Sequence, residues 1–215
     1  MPLRYLGRLS FPLFAFMIAE GYHHTRNRKK YFLRLFIVGI TIELLLDLFS
    51  IFIFSVKRSE MNIFLTLAFG LLALIIINQQ KFFMKLFTLL IFIYLFITKT
   101  YCGNIIINNT LIPLGLEYDF YGISLIILFG LFDSFDLKAL SFIIITFVFT
   151  QNGLAELFNM DSFVLNSRGE IYALGALIPI YFYNEKKGIQ IPKAITYLYY
   201  PLHLLLLYLI SYLVK

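Results

Sequence analysis

Charge is what this chain has least of. Only 14% of its 215 residues are Asp, Glu, Lys or Arg, while 60% are hydrophobic; a soluble domain usually carries about a quarter charged residues. That balance excludes an ordinary water-soluble globule. A mean hydropathy of +0.85 also excludes a disordered chain, which needs low hydrophobicity. Cysteine occurs once, at Cys102, so neither an internal disulfide framework nor a thiolate metal cage can form, and the redox compartment is not readable from it. Tryptophan is absent while Phe occurs 25 times, which suits lipid-facing and interhelical packing. No glycine-rich phosphate loop, HExxH metal pair or GxSxG nucleophile turn occurs. Neither a metal nor nucleic acid is therefore expected as a partner.

What the chain does have is long apolar runs. A crossing of the hydrocarbon layer needs about 20 apolar residues in helical form, because lipid offers unpaired backbone groups no partner. That criterion yields about eight segments, near residues 3–22, 31–54, 61–77, 82–98, 120–132, 138–152, 170–183 and 194–214. They predict an all-α, polytopic membrane helix bundle forming a single domain over residues 1–215. The stretch NIIINNTLIPLG, residues 104–115, is too short and too rich in Asn and Pro to span, and is expected to be a re-entrant or interfacial loop. The loop HHTRNRKKY, with Arg26, Arg28, Lys29 and Lys30, should be cytoplasmic. Alternate counting then brings Lys81, Lys85, Lys138, Lys186, Lys187 and Lys193 to that side and leaves Lys57, Arg58, Lys99 and Arg168 opposite. It also places the basic start RYLGRL outside with no signal peptide before it, so a missing upstream segment is expected.

Each ionisable group at membrane depth needs a partner, a water-filled cavity or a role. Arg8 and Glu20 lie at opposite ends of the first run, roughly 18 Å apart at 1.5 Å per residue. Either Arg8 reaches the outer interface while Glu20 pairs with Arg26 or Lys30, or both belong to a polar pocket. Glu43 and Asp47, four residues apart, face the same way and would repel unless a cation or a shared proton intervenes. Arg8, Lys57 and Arg58 are the basic candidates, and a packing ion cluster or a proton relay would both fit. In TYLYYPLHLLLL, Pro201 deprives the Tyr197 carbonyl of its amide. Tyr200 lies three residues before His203, so a phenol and an imidazole can converge there, for packing or for chemistry. His23 and His24, beside the basic loop, are expected to be interfacial. The loop itself could hold anionic lipid headgroups or a phosphorylated cofactor.

LRYLGRLSFPLFAFMIAEGYHHTRNRKKYFLRLF, residues 3–36, resembles the signature of the TraX family of integral membrane proteins. IELLLDLF, NIFLTLAFGLLAL, YDFYGISLIILF, YALGALIPIYFYNEKKG and YLYYPLHLLLLYLI follow in the family's order, so the resemblance covers nearly the whole chain. It implies an N-acetyltransferase of the bacterial cytoplasmic (inner) membrane, since the family's namesake acetylates the amino terminus of the conjugative F pilin, with acetyl-CoA as donor. FPLFAFMIAEGY is similar in layout, more distantly, to a stretch of the acyltransferase-3 family, whose acyl-CoA donor is cytoplasmic. TraX members typically carry a further helix before this block, ending in an Asp-His pair whose His is the base by that analogy. This chain begins after it, and the expected bundle therefore lacks the family's first helix.

For an acyl-CoA-dependent enzyme, Glu20, Arg26, Arg28, Lys29 and Lys30 would form the mouth that takes acetyl-CoA, the cations meeting its phosphates. Acyl transfer needs a base for the acceptor proton and a donor or cation for the developing oxyanion. His203 is the only deep imidazole and would be that base. Arg8 or Tyr200 would polarise the carbonyl, while Glu43 and Asp47 would position the acceptor or a basic partner. The implied partners are membrane lipids and a pilin-like or cell-envelope acceptor. The rival reading is a non-catalytic membrane assembly module, or an inactive family member left without the Asp-His helix.

Overall fold

Ser10–His24 forms helix α1 of the computed structural model. Pro12 falls in its first turn, where the amide it lacks would have no partner within the helix. The structure describes residues 7–49, 60–79, 104–107, 110–113, 115–150 and 170–186, together with positions 88, 90, 91, 93, 192, 195, 199, 202, 203, 206 and 210. They fall in two units, Met1–Phe182 and Tyr183–Lys215. In the first unit α1 ends at Thr25, whose backbone is extended. Asn27 then opens α2, Arg28–Phe49, its side-chain oxygen accepting the Lys30 amide at 2.9 Å. Capping of this kind satisfies an amide that the helix itself cannot.

Strand β1, Glu60–Met61, leads through Asn62 into α3, Ile63–Ile77. Strands β2, Asn104–Ile107, and β3, Thr110–Pro113, form an antiparallel hairpin with Ile107 opposite Thr110. Strand β4, Gly115–Leu116, pairs in parallel with β1, Glu60 opposite Gly115 and Met61 opposite Leu116. Helices α4, Asp119–Leu131, and α5, Phe135–Thr150, follow. A 3-10 turn, Glu170–Ala176, and the short α6, Leu177–Tyr181, complete the unit.

The β1–β4 pair launches α3 and α4 side by side in the same direction. Their contacts advance four residues at a time along both helices. A Cβ built on Gly122 would stand 2.8 Å from Thr66 Cγ2, one on Gly70 would strike Ile126, and one on Gly130 would strike Leu74. Glycine lets the two backbones approach, and the large neighbour fills the notch. Helix α1 runs alongside α4 in the same sense: Phe11 stacks on Tyr118 at 3.7 Å, and Phe16 meets Phe129 edge-on at 5.8 Å. Phe129 in turn contacts Phe142 of the returning α5 at 5.6 Å. Phe11, Phe129, Phe142, Leu71, Leu74, Leu125 and Ile126 are fully buried in this core.

The helical class matches the expectation, and the departures are local. Within residues 104–115, expected as a re-entrant or interfacial loop, 104–107 pairs with 110–113 as the β2–β3 hairpin and Gly115 opens β4. The hairpin strands are rich in β-branched residues, which favour the pleated backbone. Among the described residues no helix is long and apolar enough to cross a membrane. Helices α1, α3, α4 and α5 have 15, 15, 13 and 16 residues, about 20–24 Å against about 30 Å of hydrocarbon. Helix α2 has 22 but carries Arg34, Glu43 and Asp47 within its length. The expected segments at 82–98 and 194–214 lie almost entirely outside the described residues. The outward faces are nonetheless apolar: Leu33, Ile37, Leu44 and Leu48 on α2 and Leu140, Ile144 and Val148 on α5 are each more than half exposed.

If the glycine notches set the spacing of α1, α3 and α4, G70A and G122A should each destabilise the purified protein by about 1–3 kcal/mol through overpacking. G115A, where a Cβ meets nothing within 4 Å, should leave it unchanged. Thermal unfolding in detergent measures all three, and equal melting temperatures would refute the close-approach account.

Candidate functional site

Two groups of polar side chains lie at opposite ends of α1, and His203 lies against Tyr199 in the second unit. At the end where α1 gives way to α2, Arg26, Arg28, Lys29 and Lys30 are exposed. Arg28, Lys29 and Lys30 begin α2, and no acidic residue occupies its first turn. A helix amino terminus carries about half a positive charge, so three cations here repel the dipole as well as one another. The Arg28 guanidinium lies 4.2 Å from the centre of the Tyr22 ring, which pins it by a cation–π contact. His23 donates from Nε2 to the Gly130 carbonyl at 3.0 Å, capping the carboxyl end of α4 where such carbonyls lack helical partners. His23 thus ties α1 to α4.

Glu20 points elsewhere than expected. Its Oε1 accepts from Lys138 Nζ at 2.7 Å, and its Oε2 lies 3.6 Å from His24 Nε2. Lys138, not Arg26 or Lys30, is therefore the partner described for Glu20. The two side chains of that pair are only 11% and 13% exposed. Lys138 also sits 5.2 Å from the centre of the Phe16 ring. This contact joins α1 to α5 across 118 positions of sequence, and it brings Lys138 to the basic-loop end, as the alternate counting of loops expected.

At the other end of α1, Asn62 is the organising residue. It is 2% exposed and caps α3 through its side-chain oxygen, which accepts the Phe64 amide at 3.0 Å. Its backbone N–H and its Nδ2 both donate to Glu43 Oε2, at 2.8 and 2.6 Å, and Nδ2 donates also to the Gly39 carbonyl at 2.8 Å. A neutral amide thus meets the Glu43 carboxylate; of the basic candidates expected for it, Lys57 and Arg58 lie outside the described residues. Arg8 and Asp47, both half-buried, are at this same end. So is Asp119, which begins α4 with φ 37°, a left-handed conformation that Asp tolerates better than most residues.

In the second unit His203 Nδ1 lies 3.1 Å from the Tyr199 carbonyl oxygen. The two rings stack at 5.2 Å with 18° between their planes. Tyr200, the expected neighbour, lies outside the described residues. The structure therefore gathers Arg8, Glu43 and Asp47 at one end of the first unit and Arg26, Arg28, Lys29 and Lys30 at the other, with Glu20 turned toward α5. Sequence reasoning passed over Asn62 and Tyr199, and over the pairing of Lys138 with Glu20. An Asn immediately before the apolar run IFLTLAF was a capping signal for the first; nothing local marked the pairing of Lys138.

These features define a small helical protein in which α2 and α5 turn apolar residues outward. The family described as TraX protein matches residues 2–211, and the chain belongs to that family. It is also 27% identical over 218 aligned positions to the Dichelobacter nodosus protein named probable fimbrial assembly protein FimC, serogroup H1. That alignment covers 95% of this chain and 81% of the relative. No solved structure matches the chain.

Removing one partner of a mostly buried ion pair costs about 3–5 kcal/mol. Lys138→Met should therefore lower the melting temperature markedly, and adding Glu20→Met should restore most of the loss. A double variant no more stable than the single one would show that the pair is not the unit of stability. Asn62→Ala should cost about 1–3 kcal/mol, from the lost cap and the lost bonds to Glu43 and Gly39. Asn62→Asp, which sets two carboxylates together, should cost more in the same unfolding assay.

Proposed function

We propose that this chain is a polytopic protein of the bacterial inner membrane that transfers an acetyl group from acetyl-CoA to a pilin-like or other cell-envelope acceptor. Family membership supports a role connected with pili or conjugation, and the relative's name, a fimbrial assembly protein, points the same way. Membrane residence is supported by the apolar outward faces of α2 and α5, which in water would carry polar residues.

The observation that carries the enzymatic reading is the basic first turn of α2. Arg28, Lys29 and Lys30 stand at the positive end of the helix dipole with no acid in that turn. The arrangement is repulsive alone and becomes favourable when an anion sits against it. The phosphates of CoA have the matching chemistry, with Arg forks for paired oxygens and Lys for point charge. When bound, acetyl-CoA supplies the acyl group as a thioester. Arg26, Arg28, Lys29 and Lys30 hold and orient it. To His203 we assign the role of base for the acceptor's proton, and to Arg8 or Tyr200 that of polarising the carbonyl. Glu43 and Asp47 position the acceptor.

A non-catalytic assembly module is the second reading. It is favoured by the commitment of Glu20 and Glu43 to contacts that hold helices together. Radiolabelled acetyl-CoA separates the two. The enzyme should label a pilin-containing membrane fraction. Arg26→Ala with Lys29→Ala should raise KM for acetyl-CoA by about tenfold or more, since each charge-assisted contact contributes roughly 1.5–3 kcal/mol. His203→Gln should lower kcat by about a hundredfold or more. Absence of both labelling and CoA binding would leave the module.

A further inference from the structure

We infer that Tyr22 is the positioning residue for Arg28, ordering its guanidinium without neutralising it so that the charge stands ready for a phosphate, an inference that rests on the acyl-CoA reading above. Tyr22 lies in the last turn of α1 and is 2% exposed, whereas Arg28 opens α2 and is exposed. Thr25 is extended and Asn27 caps α2. The turn they make sets the Arg28 guanidinium 4.2 Å from the centre of the Tyr22 ring.

An arginine can be fixed by a carboxylate or by an aromatic face. A carboxylate cancels its charge and takes up its N–H donors, whereas an aromatic face orders the side chain and leaves the net charge whole. Carboxylates are kept from this turn. Glu20 is the only acidic residue before Glu43, and its Oε1 is held by Lys138 Nζ at 2.7 Å. The first turn of α2 carries no acid. Lys138 and Tyr22 therefore act to the same end: Glu20 is drawn toward α5, and Arg28 is ordered beside Lys29 and Lys30 as a full cation. An arginine that is already ordered gives up less rotamer freedom when an anion arrives, and the difference appears as affinity. It acts on bound substrate and transition state alike, so it belongs in KM and not in kcat.

Two measurements on the full chain in micelles test the pinning and its consequence. In the first, arginine is labelled with ¹⁵N, and the Arg28 Nε–H signal is identified by its loss in Arg28→Ala. A proton held over an aromatic face is moved upfield by the ring current. The expected result is an upfield Arg28 signal that persists in Tyr22→Phe, which keeps the face, and returns to the ordinary position in Tyr22→Leu. A wild-type signal at the ordinary position would overturn the inference whether or not CoA binds. In the second, calorimetry measures CoA affinity: Tyr22→Leu should weaken it by about fivefold, and Tyr22→Phe should stay within about twofold of wild type. In the acetylation assay Tyr22→Leu should raise KM for acetyl-CoA by the same factor at constant kcat. Added to Arg28→Ala, Tyr22→Leu should weaken CoA binding no further, because a residue that acts through Arg28 then has nothing to act on. Wild-type affinity in a folded Tyr22→Leu protein, or losses that multiply in the double variant, would also overturn the inference. An upfield Arg28 signal in a wild-type chain that binds no CoA would instead refute the acyl-CoA reading and leave the pinning of Arg28 as assigned.

Discussion

The close approach of α3 and α4 is the constraint from which the first unit follows. Two parallel helices lie this near only where one presents glycine to the other's side chain, and here that happens at Gly70, Gly122 and Gly130. The β1–β4 pair sets the register of the approach. Once it is set, Gly122 opens the space in which Phe11 and Tyr118 stack, which brings α1 alongside. The turn before α3 then delivers Asn62 to Gly39 and Glu43 of α2. A slip of one residue would move every glycine off its partner.

Among the described residues, several polar contacts connect two elements of this apolar body. Glu20 with Lys138 links α1 to α5, His23 with the Gly130 carbonyl links α1 to α4, and Asn62 with Glu43 links α3 to α2. In surroundings of low polarity an unmet carboxylate or ammonium is expensive, so each of these bonds discriminates strongly against alternative packings. The basic turn differs from them: its charges are exposed and repel one another.

The helices were legible because apolar runs of a dozen or more residues leave the backbone no other way to satisfy itself. The segments at 31–54, 61–77, 120–132 and 138–152 correspond to α2, α3, α4 and α5 within a few residues at most boundaries. The hairpin at 104–113 was not, although two Asn separate its strands in the sequence and that residue favours two-residue turns; judged only as a membrane crossing, the segment read as a loop. The partner of Glu20 was out of reach for a different reason. Arg26 and Lys30 are near in sequence, whereas Lys138 becomes a neighbour only through the packing of α5. Around His203 the ambiguity was one of spacing, since Tyr199 and Tyr200 stand four and three residues before it and a helix brings both distances onto one face.

The parallel β1–β4 pairing has a consequence for how the protein is made. Glu60 must wait for Gly115, about 55 residues later in the chain. At the usual rate of synthesis, 5–20 residues per second, that interval is roughly 3–11 s. During it α3 has emerged but the helix that fills its glycine notch has not, so an apolar surface stands uncovered on the nascent chain. Non-local pairing of this kind slows folding and lengthens the exposure of sticky intermediates. The chain's biogenesis therefore hinges on what shelters α3 for those seconds, and the order in which the ribosome delivers its segments becomes a determinant of its yield.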